Sequence, residues 1–184
     1  LAYLWGESSH SFATVPSKSG ESVRIVGMDD FIIGAQGRKV NAFYDIVMEL
    51  VNRYPGKVHF FQYNTGGVGE IIETDKVTGA KKLVRKVTRV PIDLMAALQR
   101  GDLRGTNEYA KGRLGTEYVV KCDGGDLAAY DPRNFYSDAQ VEAYVADLVD
   151  GRRKFTEEIA GQGLRKDIRE LAHRELDAME AKRA

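Results

Sequence analysis

Apolar residues at helical spacing organise much of the chain. Val40, Phe43, Ile46, Val47, Leu50 and Val51 recur at intervals of one helical turn, which predicts an amphipathic helix over 40–54. Pro55 and Gly56 close it, because proline cannot continue the hydrogen-bond ladder and glycine tolerates positive φ. A second helix is predicted in "TRVPIDLMAALQRGD", with Thr88 as N-cap and Pro91 in the first turn. Leu94, Ala97 and Leu98 form its buried stripe, and Gly101 its stop. The third begins at Ser137, which makes a capping box with Gln140, and carries Val141, Tyr144, Val145, Leu148, Val149 and Phe155. After "GQG", the stretch from Leu164 to Arg183 reads as a charged, mostly solvent-facing helix.

Between these lie shorter, β-leaning runs. "KVHFFQY" (57–63) predicts an aromatic strand, and "TEYVVK" (116–121) another, followed by a "DGGD" turn. "EIIET" and "KKLVRKV" around "DKVTGA" predict a hairpin. The first 24 residues read as irregular or partly extended, and 23–37 holds two short β-branched runs separated by Gly-Met-Asp-Asp. The expectation is one mixed α/β domain over 1–184: irregular or short strands in 1–38, a mixed sheet with flanking helices in 39–156, and a C-terminal helix in 157–184.

Composition narrows the function classes. Lysine plus arginine (27) equals aspartate plus glutamate (27), so the uniform basic charge of a nucleic-acid binder is missing. No apolar run reaches the roughly 20 residues of a membrane helix, and "LAYLWGESSHSF" lacks the pattern of a secretion signal. The single Cys122 cannot form an intrachain disulfide, and with that a cytoplasmic location is expected. The chain does not open on methionine and reads as a C-terminal piece of a larger protein.

The chemistry on offer centres on "HFFQYNTGGVGE" (59–70). A phosphate-gripping loop needs Lys and Ser/Thr after its glycines, at a helix start. Here Glu70 follows and a strand comes next, so the glycines read as a turn requiring positive φ. Lys76, Lys81, Lys82, Arg85, Lys86 and Arg89 make the most basic stretch. On a strand, Lys82, Val84 and Lys86 share one face, and Lys81, Leu83, Arg85 and Val87 the other. Such cations protect a sheet edge or bind a nucleotide, and both readings fit the spacing. His10, His59 and His173 show no metal-ligand spacing. Asp29-Asp30, Asp123 and Asp126 beside glycines suit turns, and Ser8-Ser9-His10 adjacency does not make a triad.

In order, "NTGGVG", "KKLVRKVTRVPIDLMAALQRGDL" and "DPRNFYSDAQVEAYVADLVDGRRKF" resemble the C-terminal part of ATP-dependent phosphoenolpyruvate carboxykinase over about residues 57–156. The matching residues are Asn64, Thr65, Gly66, Lys81, Lys82, Leu83, Thr88, Arg89, Gly101, Leu103, Asp131, Pro132, Arg133, Asn134 and Phe155. The resemblance implies a carboxykinase C-terminal fold and a lyase of gluconeogenesis. That family converts oxaloacetate to phosphoenolpyruvate using ATP and divalent metals. It further implies that Lys82, Leu83 and Thr88 contact the nucleotide, as a cation near ribose or phosphate, an apolar residue against the base, and a hydroxyl. The partner implied is the upstream part of the same protein, which in the family carries the phosphate loop, the metal ligands and the catalytic lysine.

The chain departs from the pattern in three places. No GxxxxGK[ST] occurs, so this chain by itself is expected to be inactive. "EIIETDKVTGA" is an insertion, and Lys82 replaces the family's arginine, losing a planar bidentate donor. Arg24 and Arg38 are the candidates for a substrate arginine. These departures keep two other readings open: a non-catalytic interaction or scaffolding module, and a structural piece whose last helix makes dimer contacts.

Overall fold

A computed structural model describes residues 1–9, 16–27, 33–63, 66–112, 114 and 116–181. The chain is mixed α/β, with four α-helices and four two-stranded antiparallel sheets among the described residues. It divides into two compact units. One comprises Leu1–His10, Glu21–Gln62 and Ala146–Ala184; the other comprises Ser11–Gly20 and Tyr63–Val145.

The first unit is mainly helical. Strands β1 (Gly6–Ser9) and β2 (Ser22–Ile25) pair in register from Gly6↔Ile25 to Ser9↔Ser22, so the Ser/Gly-rich start is partly extended as expected. Helix α1 (Gln36–Arg53) covers the predicted segment up to Arg53 and begins a turn earlier. Only Val40 of its apolar stripe is buried, while Phe43, Ile46 and Val51 stay substantially exposed. Helix α3 (Asp138–Ala160) belongs to this unit from Ala146 on. Its first residues belong to the other unit and start with the capping box, in which Ser137 Oγ accepts from the Gln140 amide at 3.3 Å, and Gln140 Oε1 accepts from the Ser137 amide at 2.9 Å. Helix α4 (Lys166–Ala181) is mostly solvent-facing as expected, but it carries one buried stripe. Ile168, Ala172, Leu176 and Met179 lie on one face and are buried, because charged residues occupy only the other positions of each turn.

Side chains then fix the elements of this unit to one another. Asn41 donates to the Gly163 carbonyl and accepts from the Arg165 amide, which pins α1 to the loop between α3 and α4. Glu7 receives both forks of Arg152 and also Arg24 Nε, while the Arg152 guanidinium lies over the Trp5 ring and the Trp5 indole donates to Thr156.

The second unit carries the other three sheets. Strands β4 (Ile71–Thr74) and β5 (Lys81–Arg85) form the predicted hairpin, its turn held by Asp75 Oδ1 accepting from the Val77 and Thr78 amides. The segment read as an insertion against the carboxykinase pattern, 70–80, therefore builds the first strand and the turn of this hairpin. Strands β7 (Glu108–Lys111) and β8 (Glu117–Lys121) form another; β8 matches the predicted strand, whereas β7 was not anticipated. The third pair joins β3 (Gly67–Val68) to β6 (Thr88–Arg89).

Three expectations fail here. Residues 58–63 form no strand, since no described segment offers them a ladder, and Phe60 and Phe61 stay exposed. Thr88 does not cap a helix, because its backbone is in β6; α2 (Ile92–Arg104) begins after Pro91. Gly101 does not stop α2 but lies buried within it against Asn107, and the left-handed Gly105 ends it four residues after the expected stop. Residues 28–32, which hold Asp29, Asp30 and most of the second β-branched run, lie outside the described residues. Among the described residues no helix is long and apolar enough to cross a membrane.

Candidate functional site

Two glycines of the turn have separate steric reasons. Gly67 pairs with Arg89, and a β-carbon there would collide with the Thr88 carbonyl. Gly69 has φ +86° and is buried; a β-carbon there would enter the Phe135 ring. The Gly69 N–H is already donated to Tyr136 Oη at 2.8 Å, so Gly69 turns the chain without offering this amide to phosphate. Asn64 and Thr65 lie outside the described residues.

Burial alternates along β5 as the strand period requires. Lys82, Val84 and Lys86 are exposed, and Lys81, Leu83, Arg85 and Val87 are half-buried. The inward cations have structural partners. Lys81 Nζ donates to the Ser19 carbonyl at 2.9 Å. Arg85 donates from Nε to the Gly69 carbonyl and from Nη2 to the Phe135 carbonyl at 3.0 Å, and its guanidinium lies 5.1 Å from the Phe135 ring centroid. Thus the glycine turn, the basic strand and the "DPRNFY" segment meet at one point. The last of these is ordered by its own side chains: Asp131 accepts from the Arg133 amide and guanidinium, which pushes its carboxyl down to about 2.

Lys82 projects from the opposite face and lines a shallow concavity of about 340 Å³ with Glu73, Thr74, Asp75, Ala80 and Lys81. Leu83 faces inward, paired with Ile72. Thr88 is exposed on β6, opposite Val68, and does not line that concavity. Among the described residues the Lys82 ammonium and the Thr88 hydroxyl have no hydrogen-bond or ionic partner, and β5 has no strand on its outer edge. These groups suit single contacts to a base or ribose. They do not form a wrap for a triphosphate.

The remaining candidates separate. His59 is exposed in the coil, and His173 touches Glu157 and Arg153 between α3 and α4. His10 lies outside the described residues. No group of three or more His, Cys, Asp or Glu among the described residues is arranged to hold a metal ion. Cys122 is buried, and burial pushes its thiol pKa up, which disfavours the thiolate. Asp126 accepts from the Ala128 amide, a local turn bond. Arg24 is committed to Glu7, and Arg38 is exposed.

One cluster escaped the sequence reading. Asp102 on α2 accepts from the hydroxyls of Tyr63 and Tyr109 and from Asn107 Nδ2 at 2.6 Å. Partial burial favours the neutral carboxyl, but the hydrogen bonds from Tyr109, Tyr63 and Asn107 outweigh it and hold the Asp102 pKa below its ordinary value. Desolvation first, then the bond to Asp102, pushes Tyr63 up to about 12. The residues are spread from 63 to 109, and no spacing rule links them. Comparisons with protein-family models, curated proteins and solved structures find no match to this chain.

Proposed function

We propose that this chain is the C-terminal nucleotide-binding part of a phosphoenolpyruvate carboxykinase-like protein, with a carboxykinase C-terminal-like fold. In that reading Lys82 contacts ribose or phosphate, the backbone at Leu83 meets the base along the open edge of β5, and Thr88 supplies a hydroxyl. ATP would supply the transferable phosphoryl group. A region upstream of this chain would hold the divalent metal and the phosphate loop, so this chain by itself does not catalyse. The observation that supports the reading most is the meeting of three sequence motifs, distant along the chain, at Gly69, Arg85 and Phe135.

The rival is a non-catalytic interaction module on the same scaffold. It is favoured by the inserted hairpin, whose turn leaves Val77 94 % exposed. Calorimetry with ATP and Mg²⁺ on the protein with its upstream region separates the two. Binding with Kd about 1 mM or tighter, weakened several-fold by Lys82→Ala or Thr88→Ala, is the expected result. Absence of heat at millimolar ATP defeats the nucleotide reading and leaves the interaction module.

A further inference from the structure

Lys82 and Leu83 belong to the β4–β5 sheet, whereas Thr88 belongs to the β3–β6 sheet. A nucleotide wall drawn from both requires that one sheet be fixed against the other. Residues 86–87 between β5 and β6 are outside both ladders, so chain continuity alone does not provide this. We propose that Arg85 is the positioning residue that sets this spacing, with Tyr136 as its support; the inference rests on the nucleotide reading above.

The geometry is specific. Arg85 stands on β5, two residues after Leu83, and points away from the Lys82 face. One nitrogen of its fork takes the Gly69 carbonyl, immediately after β3, whose Val68 is paired with Thr88. Another takes the Phe135 carbonyl, and the guanidinium lies 5.1 Å from the Phe135 and 6.0 Å from the Tyr136 ring centroid. The Tyr136 hydroxyl closes the loop by accepting from the Gly69 amide. A planar, forked donor reaches two carbonyls of separate segments while stacking on rings; an ammonium gathers its three donors at one point and has no plane to stack. Because its donors are committed to carbonyls, Arg85 shapes the wall and does not itself grip the ligand.

The test is titration of MgATP into the protein with its upstream region, comparing Arg85→Met, Arg85→Lys and Tyr136→Phe, with denaturation midpoints measured in parallel. Arg85→Met is expected to raise Kd about tenfold, and Arg85→Lys to recover part of that loss. Tyr136→Phe is expected to raise Kd about threefold and to speed amide exchange at Gly69. It removes one acceptor and little packing, so it answers the question if Arg85→Met fails to fold. Unchanged Kd in Tyr136→Phe and Arg85→Met overturns the proposal. So does a loss that tracks the unfolded fraction, with Arg85→Lys no better than Arg85→Met. If the unaltered protein binds no ATP, the nucleotide reading falls first and this inference with it. If it binds and the variants match it, only this inference falls.

Discussion

In the helical unit Val26, Val149, Ile159 and Leu176 are wholly buried; in the sheet-rich unit Leu94, Met95 and Cys122 each keep 7 or 8 % of their surface exposed. The first relies on apolar stripes, each such side chain contributing about 1.5–3 kcal/mol through burial. The second relies on short ladders and polar clasps: Arg85 on two carbonyls, Asp102 under two tyrosines, and Asp75 and Asp131 holding their turns. A net hydrogen bond contributes about 1 kcal/mol, so such a unit is held by many small terms that depend on geometry. That arrangement suits a region that meets ligands, and it ties the proposed wall to particular side chains more tightly than to bulk burial.

The contrast can be broken by substitution. Leu176→Ala empties a fully buried site on α4 and is expected to cost about 3–4 kcal/mol, read as a fall in the urea midpoint; a loss near zero would show that the helical unit does not depend on its stripe. Glu7→Gln leaves Arg24 and Arg152 facing each other without their anion. The expected cost is about 2–3 kcal/mol, below the figure for a fully buried pair because the Glu7 side chain keeps 19 % of its surface exposed. In the other unit Gly69→Ala strains a left-handed residue and pushes on Phe135, for about 2 kcal/mol. Hydrogen exchange should then accelerate in 66–89 and stay unchanged in α4; uniform acceleration would mean that the two units unfold together.

The smallest effect is electrostatic. Asp102 has a depressed folded pKa, so its contribution is present above the ordinary carboxylate value near 4 and fades as pH falls through the folded value. Tyr63 is raised, so its contribution holds below the ordinary phenol value near 10 and is lost as pH rises through about 12. Ultraviolet titration of the phenolate should show one tyrosine with a midpoint near 12, moved back toward 10 by Asp102→Asn. An unmoved titration would dissolve the cluster.

Legibility in the sequence followed the range of the forces. The capping box at Ser137 and Gln140, the β4–β5 hairpin and the two faces of β5 were all readable, because each is set by residues within a few positions. The strand expected at 57–63 and the cap expected at Thr88 were misread, since a strand needs a distant partner and Thr88 found one in Val68. Of the nucleotide contacts implied by the resemblance, strand alternation gave the face that Lys82 shares with Val84 and Lys86 but not that this face is the outward one, and nothing local showed that Thr88 would stand in a different sheet.

The sequence by itself determined which four segments are helical (though not the cap and stop of the second), the balance of charge, and the absence of a phosphate-gripping motif, because backbone stereochemistry and periodicity act locally. Tertiary structure alone decided that Gly69 meets Phe135, that Arg85 is committed to two carbonyls while Lys82 is not, and that Asp102 gathers two tyrosines. Those outcomes depend on which segments meet after the chain has folded back on itself. Hydrogen-bond geometry and close packing select such meetings over distances that no sequence window spans.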